Sequence, residues 1–304
     1  KVFFANSGAE AMEGAVKTAR KYANQKYGKG KNEIVAFANA FHGRTLATLS
    51  ASGSRKVQAG FEPLVAGFVR APFNDTDALK KIAENNPNIC AVLVEPIQGE
   101  GGINPATAEY LRELRKIADE FDALLIFDEV QCGMGRSGSL FAYLLAHMEP
   151  DVMGLAKGIG GGFPVGAVLA TEKAAAGMIP GTHGSTYGGN PLAMAAANAV
   201  LDVMLEPGFL NSVREKGDYL KNQLDKLPNS YPTIIDSVRG TGLMLGLKCC
   251  VSNLDLMTEF RNQKLLTVVA GDNVLRVLPP LNVEINELDE AVEIMGKVCK
   301  TMAT

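Results

Sequence analysis

The amino-acid sequence predicts an α/β protein with a mostly parallel sheet in a large domain, followed by a smaller α+β C-terminal domain. Short apolar runs alternate with amphipathic stretches over most of the 304 residues. The apolar runs are typical of strands buried on both faces, as parallel sheets require. After Glu206-Pro207-Gly208 this alternation changes character. We therefore expect a large domain over residues 1–206 and a small domain over residues 207–304.

Local signals predict each element of the large domain. A helix begins at Ser7, because serine with Glu10 three residues later is typical of a capping box, and apolar residues then recur at helical spacing. Asn190 and Pro191 predict another helix start, as cap and first residue. Strands are expected at 33–38, 89–94, 124–127, 152–156 and 165–170, and helices at 76–85 and 106–121.

The expected small domain mixes helices and strands less regularly. A charged amphipathic stretch follows the break at residues 206–208, and short apolar runs come after it. The predicted elements are helices at 212–227, 254–262 and 286–302 and strands at 234–239, 243–248 and 274–278.

Composition excludes several classes of function. The net charge of −3 supplies no basic surface for nucleic acid. No stretch approaches the roughly 20 apolar residues of a membrane helix, so a soluble protein is expected. Five cysteines without disulfide or metal spacing indicate a reducing compartment, either the cytoplasm or an organelle matrix. The sequence opens with Lys1 inside an apolar run, and we expect an N-terminal portion outside it, with any targeting signal.

Two polar residues follow apolar runs at positions that can hold an organic cofactor. Asp128 follows the strand predicted over 124–127, and Lys157 follows the apolar residues 152–156. Ligands of open α/β sheets bind at the carboxyl ends of strands. An amine at the rim of an apolar site can form a Schiff base, and a fixed carboxylate can keep a heteroaromatic nitrogen protonated. The pair suggests pyridoxal phosphate and no metal.

Further residues suit the phosphate and the ring of such a cofactor. The helix start at Ser7 offers backbone N–H groups to an anion, and Gly8 permits close approach. The polar, glycine-rich loop over 181–190 carries hydroxyl groups that suit phosphate. Phe41 follows a predicted strand and can stack on a ring, and Arg44 can hold a carboxylate through two parallel hydrogen bonds. Each feature alone also fits ordinary capping or a solvated surface.

Expectations for three other residues follow from their positions in the chain. Glu100 lies in a glycine-rich loop after the strand predicted over 89–94, where it could steer substrate charge. Arg276 lies in the strand predicted over 274–278, where an exposed guanidinium would face a cleft between domains. His42 is expected to be structural.

Seven motifs in order over nearly the whole chain resemble the class III pyridoxal-phosphate-dependent aminotransferases, which have the type I fold. The motifs are SGAEA at 7–11, FHGRT at 41–45, VEPIQGEGG at 94–102, FDEVQCGMGRSG at 127–138, LAKGIGGGFPVGA at 155–167, HGSTYGGNP at 183–191 and LRVLPPL at 275–281.

This resemblance implies a role for each matched residue. Lys157 would hold the cofactor as a Schiff base and transfer the proton, and Asp128 would pair with the ring nitrogen. Glu100 would mask Arg276 in one half-reaction. The other implied contacts are Ser7, Gly8 and Ala9 with the phosphate, Thr186 with a phosphate across a homodimer interface, Phe41 and Val130 with the ring faces, Glu129 and Gln131 beside the ring, Arg44 and Ser185 with the amino donor, and Arg276 with the α-carboxylate of glutamate.

Within the family, the motifs are most similar to members that act on N2-acetylornithine. The implied reaction moves its terminal amino group to 2-oxoglutarate in two half-reactions of arginine biosynthesis, giving N-acetylglutamate 5-semialdehyde and glutamate. The implied partners are these small molecules and a second copy of the chain, without nucleic acid or membrane. Family members that act on ornithine, 4-aminobutyrate or succinylornithine carry similar motifs. An aminolevulinate-pathway mutase and a noncatalytic binding module on the same fold are more remote alternatives.

Overall fold

The computed structural model describes residues 1–303, which form two compact units. The first unit consists of Lys1–Pro96, Ala106–Met134 and Phe141–Val203, and the second of Ile97–Pro105, Gly135–Leu140 and the residues from Met204 onward. Two segments that precede residue 206 in the chain thus belong to the second unit. The sequence-based division at 206/207 stays a prediction of domain organisation.

The chain forms the following strands and helices, each numbered in chain order within its type. The strands are β1 (Val2–Ala5), β2 (Glu33–Phe37), β3 (Phe68–Ala71), β4 (Ile89–Val94), β5 (Ile97–Gln98), β6 (Asn104–Pro105), β7 (Leu124–Asp128), β8 (Val152–Leu155), β9 (Gly166–Ala170), β10 (Ile235–Thr241), β11 (Met244–Cys249), β12 (Val268–Ala270) and β13 (Val274–Val277). The α-helices are α1 (Gly8–Tyr27), α2 (Leu46–Ala51), α3 (Arg55–Gln58), α4 (Thr76–Glu84), α5 (Ala108–Glu120), α6 (Glu172–Ala175), α7 (Pro191–Met204), α8 (Phe209–Leu224), α9 (Leu227–Ser230), α10 (Asn253–Asn262) and α11 (Ile285–Met302). Short 3₁₀-helices occupy Ala142–Ala146 and Lys157–Gly160.

The first unit contains a seven-stranded sheet in the order β1-β9-β8-β7-β4-β2-β3. Strands β8, β7, β4, β2 and β3 are parallel to one another, whereas β9 is antiparallel to both β8 and β1. Only residues 156–165 connect β8 to β9, too few for the usual crossover of a dozen residues that a parallel neighbour needs. The prediction of a mostly parallel sheet is confirmed.

Helices cover both faces of this sheet. Alternate residues of β4 and β7 point to opposite faces, and every residue in the two strands is buried. On one face they pack against α1, whose small residues allow close helix–sheet contact. On the other they pack against α5 through apolar side chains including Leu111, Leu114 and Ile117. Strands buried on both faces explain the continuous apolar runs in the sequence.

The second unit has an antiparallel sheet in the order β10-β11-β13-β12 and a separate β5–β6 pair. Its core is formed by one face of the larger sheet with side chains from α8, α10 and α11. Arg276 lies in β13 and pairs with Gly246 of β11 and Val268 of β12. The predicted α+β character of this region is confirmed.

Several elements differ from the sequence-based expectation. The sequence did not predict β1, β3 and β12, because these partly exposed strands at sheet edges have only three or four residues each, too few to show a strand periodicity. The helix expected at 212–227 begins earlier, at Phe209, and ends at Leu224, before α9. Within residues 1–303 no single helix is long and apolar enough to cross a membrane, although the bent pair Pro191–Met204 and Phe209–Ser230 meets the length and composition test.

Candidate active site

A cavity of about 460 Å³ lies in the first unit, at the carboxyl ends of β7 and β8. These two strands are parallel, so the residues that follow them emerge at the same edge of the sheet. The lining residues are Asn6, Ser7, Gly8, Ala9, Phe41, His42, Gly43, Arg44, Glu95, Asp128, Val130, Gln131, Ala156, Lys157, Gly162, Phe163, Pro164 and Val165. The structure thus brings together nine of the predicted site residues, which come from four separate segments.

Lys157 reaches the cavity from a strained backbone position. Strand β8 is fully buried, and Lys157 follows it after one residue. Its φ angle of 48° is in the left-handed region, which costs a residue other than glycine on the order of 1–3 kcal/mol. Strain of this kind persists where the surrounding fold imposes it, and it is concentrated at functional sites. The fold after β8 therefore fixes the backbone position from which the Lys157 side chain reaches the cavity.

Asp128 is a buried carboxylate with two partners, one on each oxygen. Its Oδ1 accepts a hydrogen bond from the Val130 amide at 3.0 Å, and its Oδ2 lies 2.8 Å from Nδ1 of His42. Asp128 is 4% exposed and His42 3% exposed. The His42 Nε2 atom has no hydrogen-bond partner among residues 1–303. Sequence reasoning expected His42 to be structural and did not identify this contact, because His42 and Asp128 are 86 positions apart.

Helix α1 presents its N-terminus to the cavity. The Ser7 hydroxyl accepts from the Glu10 amide at 3.2 Å, as the capping pattern predicted. The Glu10 carboxylate accepts from the Asn6 amide at 2.5 Å, one residue before the position a standard capping box uses. A Cβ atom on Gly8 would lie 2.7 Å from Cγ1 of Val130, so only glycine permits this approach. The helix start offers N–H groups and a positive dipole to an anion.

Phe41 and Glu95 form a second pair at the cavity wall. Glu95 follows β4, is 4% exposed, and accepts a hydrogen bond from the Phe41 amide at 3.0 Å. The guanidinium carbon of Arg44 lies 5.5 Å from the Phe41 ring centroid. Glu95 was missing from the sequence-based site, although its position at the carboxyl end of a buried strand was a usable signal. It fixes the backbone that carries the aromatic ring.

Three predicted site residues of the first unit do not line this cavity. Glu129 is fully buried, and its two carboxylate oxygens accept from the Ala142 and Tyr143 amides, each at 2.8 Å. Burial raises the pKa of Glu129 to about 7. The Ser185 hydroxyl accepts from the Asn6 side chain at 2.9 Å. Thr186 is exposed.

Glu100 and Arg276 form an ion pair within the second unit. The Arg276 Nη1 atom lies 2.5 Å from Oε1 of Glu100, and its Nη2 donates to the Val269 carbonyl at 3.2 Å. The Arg276 side chain is 6% exposed, whereas that of Glu100 is 38% exposed. The guanidinium is therefore covered on one side by a carboxylate that water can reach.

Comparisons with known proteins identify the family. The family model "Aminotransferase class-III" matches residues 1–299. An acetylornithine aminotransferase of Mesorhizobium japonicum is 51% identical over 303 residues, covering 100% of this chain and 75% of the relative.

Solved structures give the same result for the fold. The N-acetylornithine aminotransferase of Stenotrophomonas maltophilia is 34% identical with a TM-score of 0.84, covering 99% and 75% of the two chains. An ornithine aminotransferase of Toxoplasma gondii is 31% identical with a TM-score of 0.94, covering 99% of this chain and 72% of the other. That protein was crystallised in the presence of oxidized glutathione and is described with partial occupancy of PLP at its active site. The expected type I fold is confirmed, and the chain belongs to the class III aminotransferases, a pyridoxal-phosphate-dependent family.

Proposed function

We propose that this protein is an aminotransferase that moves the terminal amino group of N2-acetylornithine to 2-oxoglutarate, giving N-acetylglutamate 5-semialdehyde and glutamate. The proposal depends on one observation: Lys157, Asp128 and the N-terminus of α1 line the same cavity. An amine, a buried carboxylate and an anion site around one cavity are the groups that a phosphorylated pyridine aldehyde requires.

The residues present fit pyridoxal phosphate. The cavity of about 460 Å³ lies within the range of small-molecule sites. Gly8 leaves room at the helix start where a Cβ atom would meet Val130, which suits a phosphate held by the Gly8 and Ala9 amides beside Ser7. When bound, the cofactor supplies an electron sink for the substrate carbon that loses a proton.

The chain's own residues would divide the remaining work. Lys157 would hold the cofactor through its amine and afterwards carry the proton from the substrate carbon. Asp128 would keep the ring nitrogen protonated, and His42 would hold Asp128 in place through the 2.8 Å contact. Phe41 and Val130 would contact the two ring faces, and Gln131 would contact the ring hydroxyl.

Glu129 has a supporting place in this proposal. It lies between Asp128 and Val130, and its side chain binds the amides of Ala142 and Tyr143. By fixing its own backbone segment to a second one, Glu129 would orient both neighbours toward the ring. Its contribution to cofactor binding would therefore be indirect.

The two half-reactions require a switchable charge contact for the substrates. The amino donor presents a terminal amine, whereas glutamate presents an α-amine with an adjacent carboxylate. Arg44 and Ser185 would contact N2-acetylornithine, and Arg276 would bind the α-carboxylate of glutamate. The observed 2.5 Å contact between Glu100 and Arg276 supports a masked state of that arginine. Displacement of Glu100 by a substrate carboxylate would unmask it.

Ornithine is the second candidate donor, because ornithine aminotransferases are among the most similar solved folds. The higher sequence identity to acetylornithine aminotransferases favours the acetylated donor. The test measures kcat/KM with N2-acetylornithine, ornithine, succinylornithine and 4-aminobutyrate, each with 2-oxoglutarate as acceptor. The highest value is expected for N2-acetylornithine. A higher value for another donor would replace the substrate assignment, and absence of glutamate formation with all four would reject the aminotransferase proposal.

A homodimer is the assembly that we propose. Large apolar side chains are exposed along residues 179–205, and Thr186, whose implied role is to reach the phosphate of a second subunit, does not line the cavity of its own chain. The exposed residues are Ile179, Tyr187, Leu192, Val203 and Leu205. Light scattering coupled to gel filtration should give twice the chain mass, and Leu192→Glu should shift the mass toward that of one chain. A monomeric wild type would contradict the proposal.

A further inference from the structure

The loop that carries Glu100 is attached to a turn of the second unit through its backbone. We call residues 99–104 the gate loop and residues 271–273 the facing turn. The Gly271 amide donates to the Glu100 carbonyl at 2.8 Å. A Cβ atom on Gly102 would lie 2.9 Å from the Gly271 carbonyl oxygen, and the Gly102 φ angle of 119° also favours glycine. The gate loop and the facing turn therefore lie backbone against backbone.

Arg239 of strand β10 connects these two segments with its side chain. Its Nη1 atom donates to Asn104 Oδ1 at 3.0 Å and lies 2.8 Å from Asp272 Oδ2. The same nitrogen lies 3.4 Å from the Gly102 carbonyl oxygen. One guanidinium thus contacts both the gate loop and the facing turn, and it is 28% exposed.

Asp272 is held in place independently of Arg239. Lys248 of β11 lies 2.6 Å from Asp272 Oδ1 and also donates to the Asp272 backbone carbonyl at 2.5 Å. The hydrogen bond from Lys248, with Arg239 adding to it, lowers the pKa of Asp272, so the carboxylate is ionised at neutral pH. The facing turn is consequently a fixed, charged anchor for Arg239.

We propose that Arg239 is a positioning residue that sets how readily Glu100 leaves Arg276, and thereby sets the balance between the two half-reactions. This inference rests on the proposed function of the Glu100–Arg276 pair. With the gate loop held by Arg239, only the Glu100 side chain moves, and the covered state of Arg276 re-forms easily. Without Arg239, the loop backbone gains freedom and Glu100 covers Arg276 less often. Arg276 then binds α-carboxylates more readily.

The first test compares half-reaction rates in single-turnover measurements of the complete enzyme. Arg239→Met keeps the apolar part of the side chain and removes its hydrogen bonds. It is expected to raise kcat/KM for glutamate relative to N2-acetylornithine by about threefold to fivefold, the size of a partly exposed ion-pair contact. Arg239→Lys should restore part of the wild-type ratio through its charge. The exposed Arg261 gives the matched control Arg261→Met, which should leave the ratio unchanged.

A double-variant cycle separates positioning from general destabilisation. If Arg239 acts through Glu100, Arg239→Met should not change the ratio in a Glu100→Gln background. Hydrogen exchange provides a readout other than turnover: Arg239→Met should speed exchange of amides in residues 97–105, and Arg261→Met should not. An equal change of ratio in both backgrounds, or unchanged exchange in Arg239→Met, would overturn the positioning role. A wild type inactive with both donors would instead overturn the proposed function.

Discussion

Replacing Glu129 by glutamine tests how burial controls a carboxylate beside the proposed cofactor site. Burial raises the Glu129 pKa from 4.5 to about 7, against the opposing effect of two backbone hydrogen bonds. The folded chain therefore keeps this proton at pH values where the unfolded chain has lost it. The contribution of Glu129 to the free energy of unfolding is complete at pH values below the pKa of the unfolded chain, and it falls as the pH rises to the pKa of the folded chain. At roughly 1.4 kcal/mol per pKa unit, the loss is about 3 kcal/mol.

The Glu129→Gln variant should show a different pH dependence. Its amide does not titrate, so this loss disappears. However, its NH₂ group would face one of the two backbone N–H donors, which costs about 1–3 kcal/mol at any pH. The variant should therefore be less stable than the wild type near pH 5, and the difference should shrink or reverse near pH 8.

Urea unfolding followed by far-UV circular dichroism measures this difference, since the chain lacks tryptophan. Glu109→Gln is the matched control, because the Glu109 side chain is 77% exposed in a surface pair with Arg112. The control should follow the wild-type pH dependence. A constant stability difference between wild type and Glu129→Gln from about pH 5 to 8 would refute the reasoning that burial raises this pKa.

Three further predictions concern the cofactor site. Lys157→Ala should abolish turnover and the covalent attachment of pyridoxal phosphate. After borohydride reduction, intact-mass measurement should show the mass of the attached cofactor only in the wild type and in the exposed control Lys80→Ala, and a retained adduct in Lys157→Ala would exclude Lys157 as the attachment point. Gly8→Ala should weaken cofactor retention, measured by equilibrium dialysis, by about tenfold to a hundredfold, since overpacking against Val130 costs about 1–3 kcal/mol. The loss should be smaller when Gly8→Ala is added to Val130→Ala than when it is added to the wild type, and an equal loss in the two backgrounds would contradict the steric cause. Asp128→Asn should lower the rate of proton removal from the substrate by at least about a hundredfold, measured in single-turnover kinetics, and an unchanged rate would remove Asp128 from the proposed mechanism.

The sequence predicted the parts of the site that depend on local patterns. Asp128 and Lys157 follow buried strands whose apolar runs are continuous, and Ser7 caps a helix with a regular apolar stripe. Parallel strands place residues such as Asp128 and Lys157 at one edge of a sheet, which is why the amino-acid sequence alone groups these two. Ser7 was linked to them by the anion site that its helix start offers. The type I fold followed from the resemblance of seven motifs, since periodicity alone indicates only a fold class.

Other contacts depended on strand order and on the direction of individual side chains. No local sequence pattern connects the residues of three such contacts. They are the contact of His42 with Asp128, the hydrogen bond from the Phe41 amide to Glu95, and the hydrogen bond from the Ala142 amide to Glu129. The position of β9 as an antiparallel strand also required the structure, since an apolar run does not specify which neighbour it pairs with.

The sequence by itself thus predicted most of the longer helices and strands, and it singled out the amine, the carboxylate and the helix start that line one cavity. Local hydrophobic periodicity and capping preferences are encoded over a few residues, so they can be read directly. Only the tertiary structure decided that His42 holds Asp128 and that Arg239 joins the gate loop to Asp272. Such contacts arise when strands from distant parts of the chain become neighbours, and the pairing of strands is a property of the whole packed core.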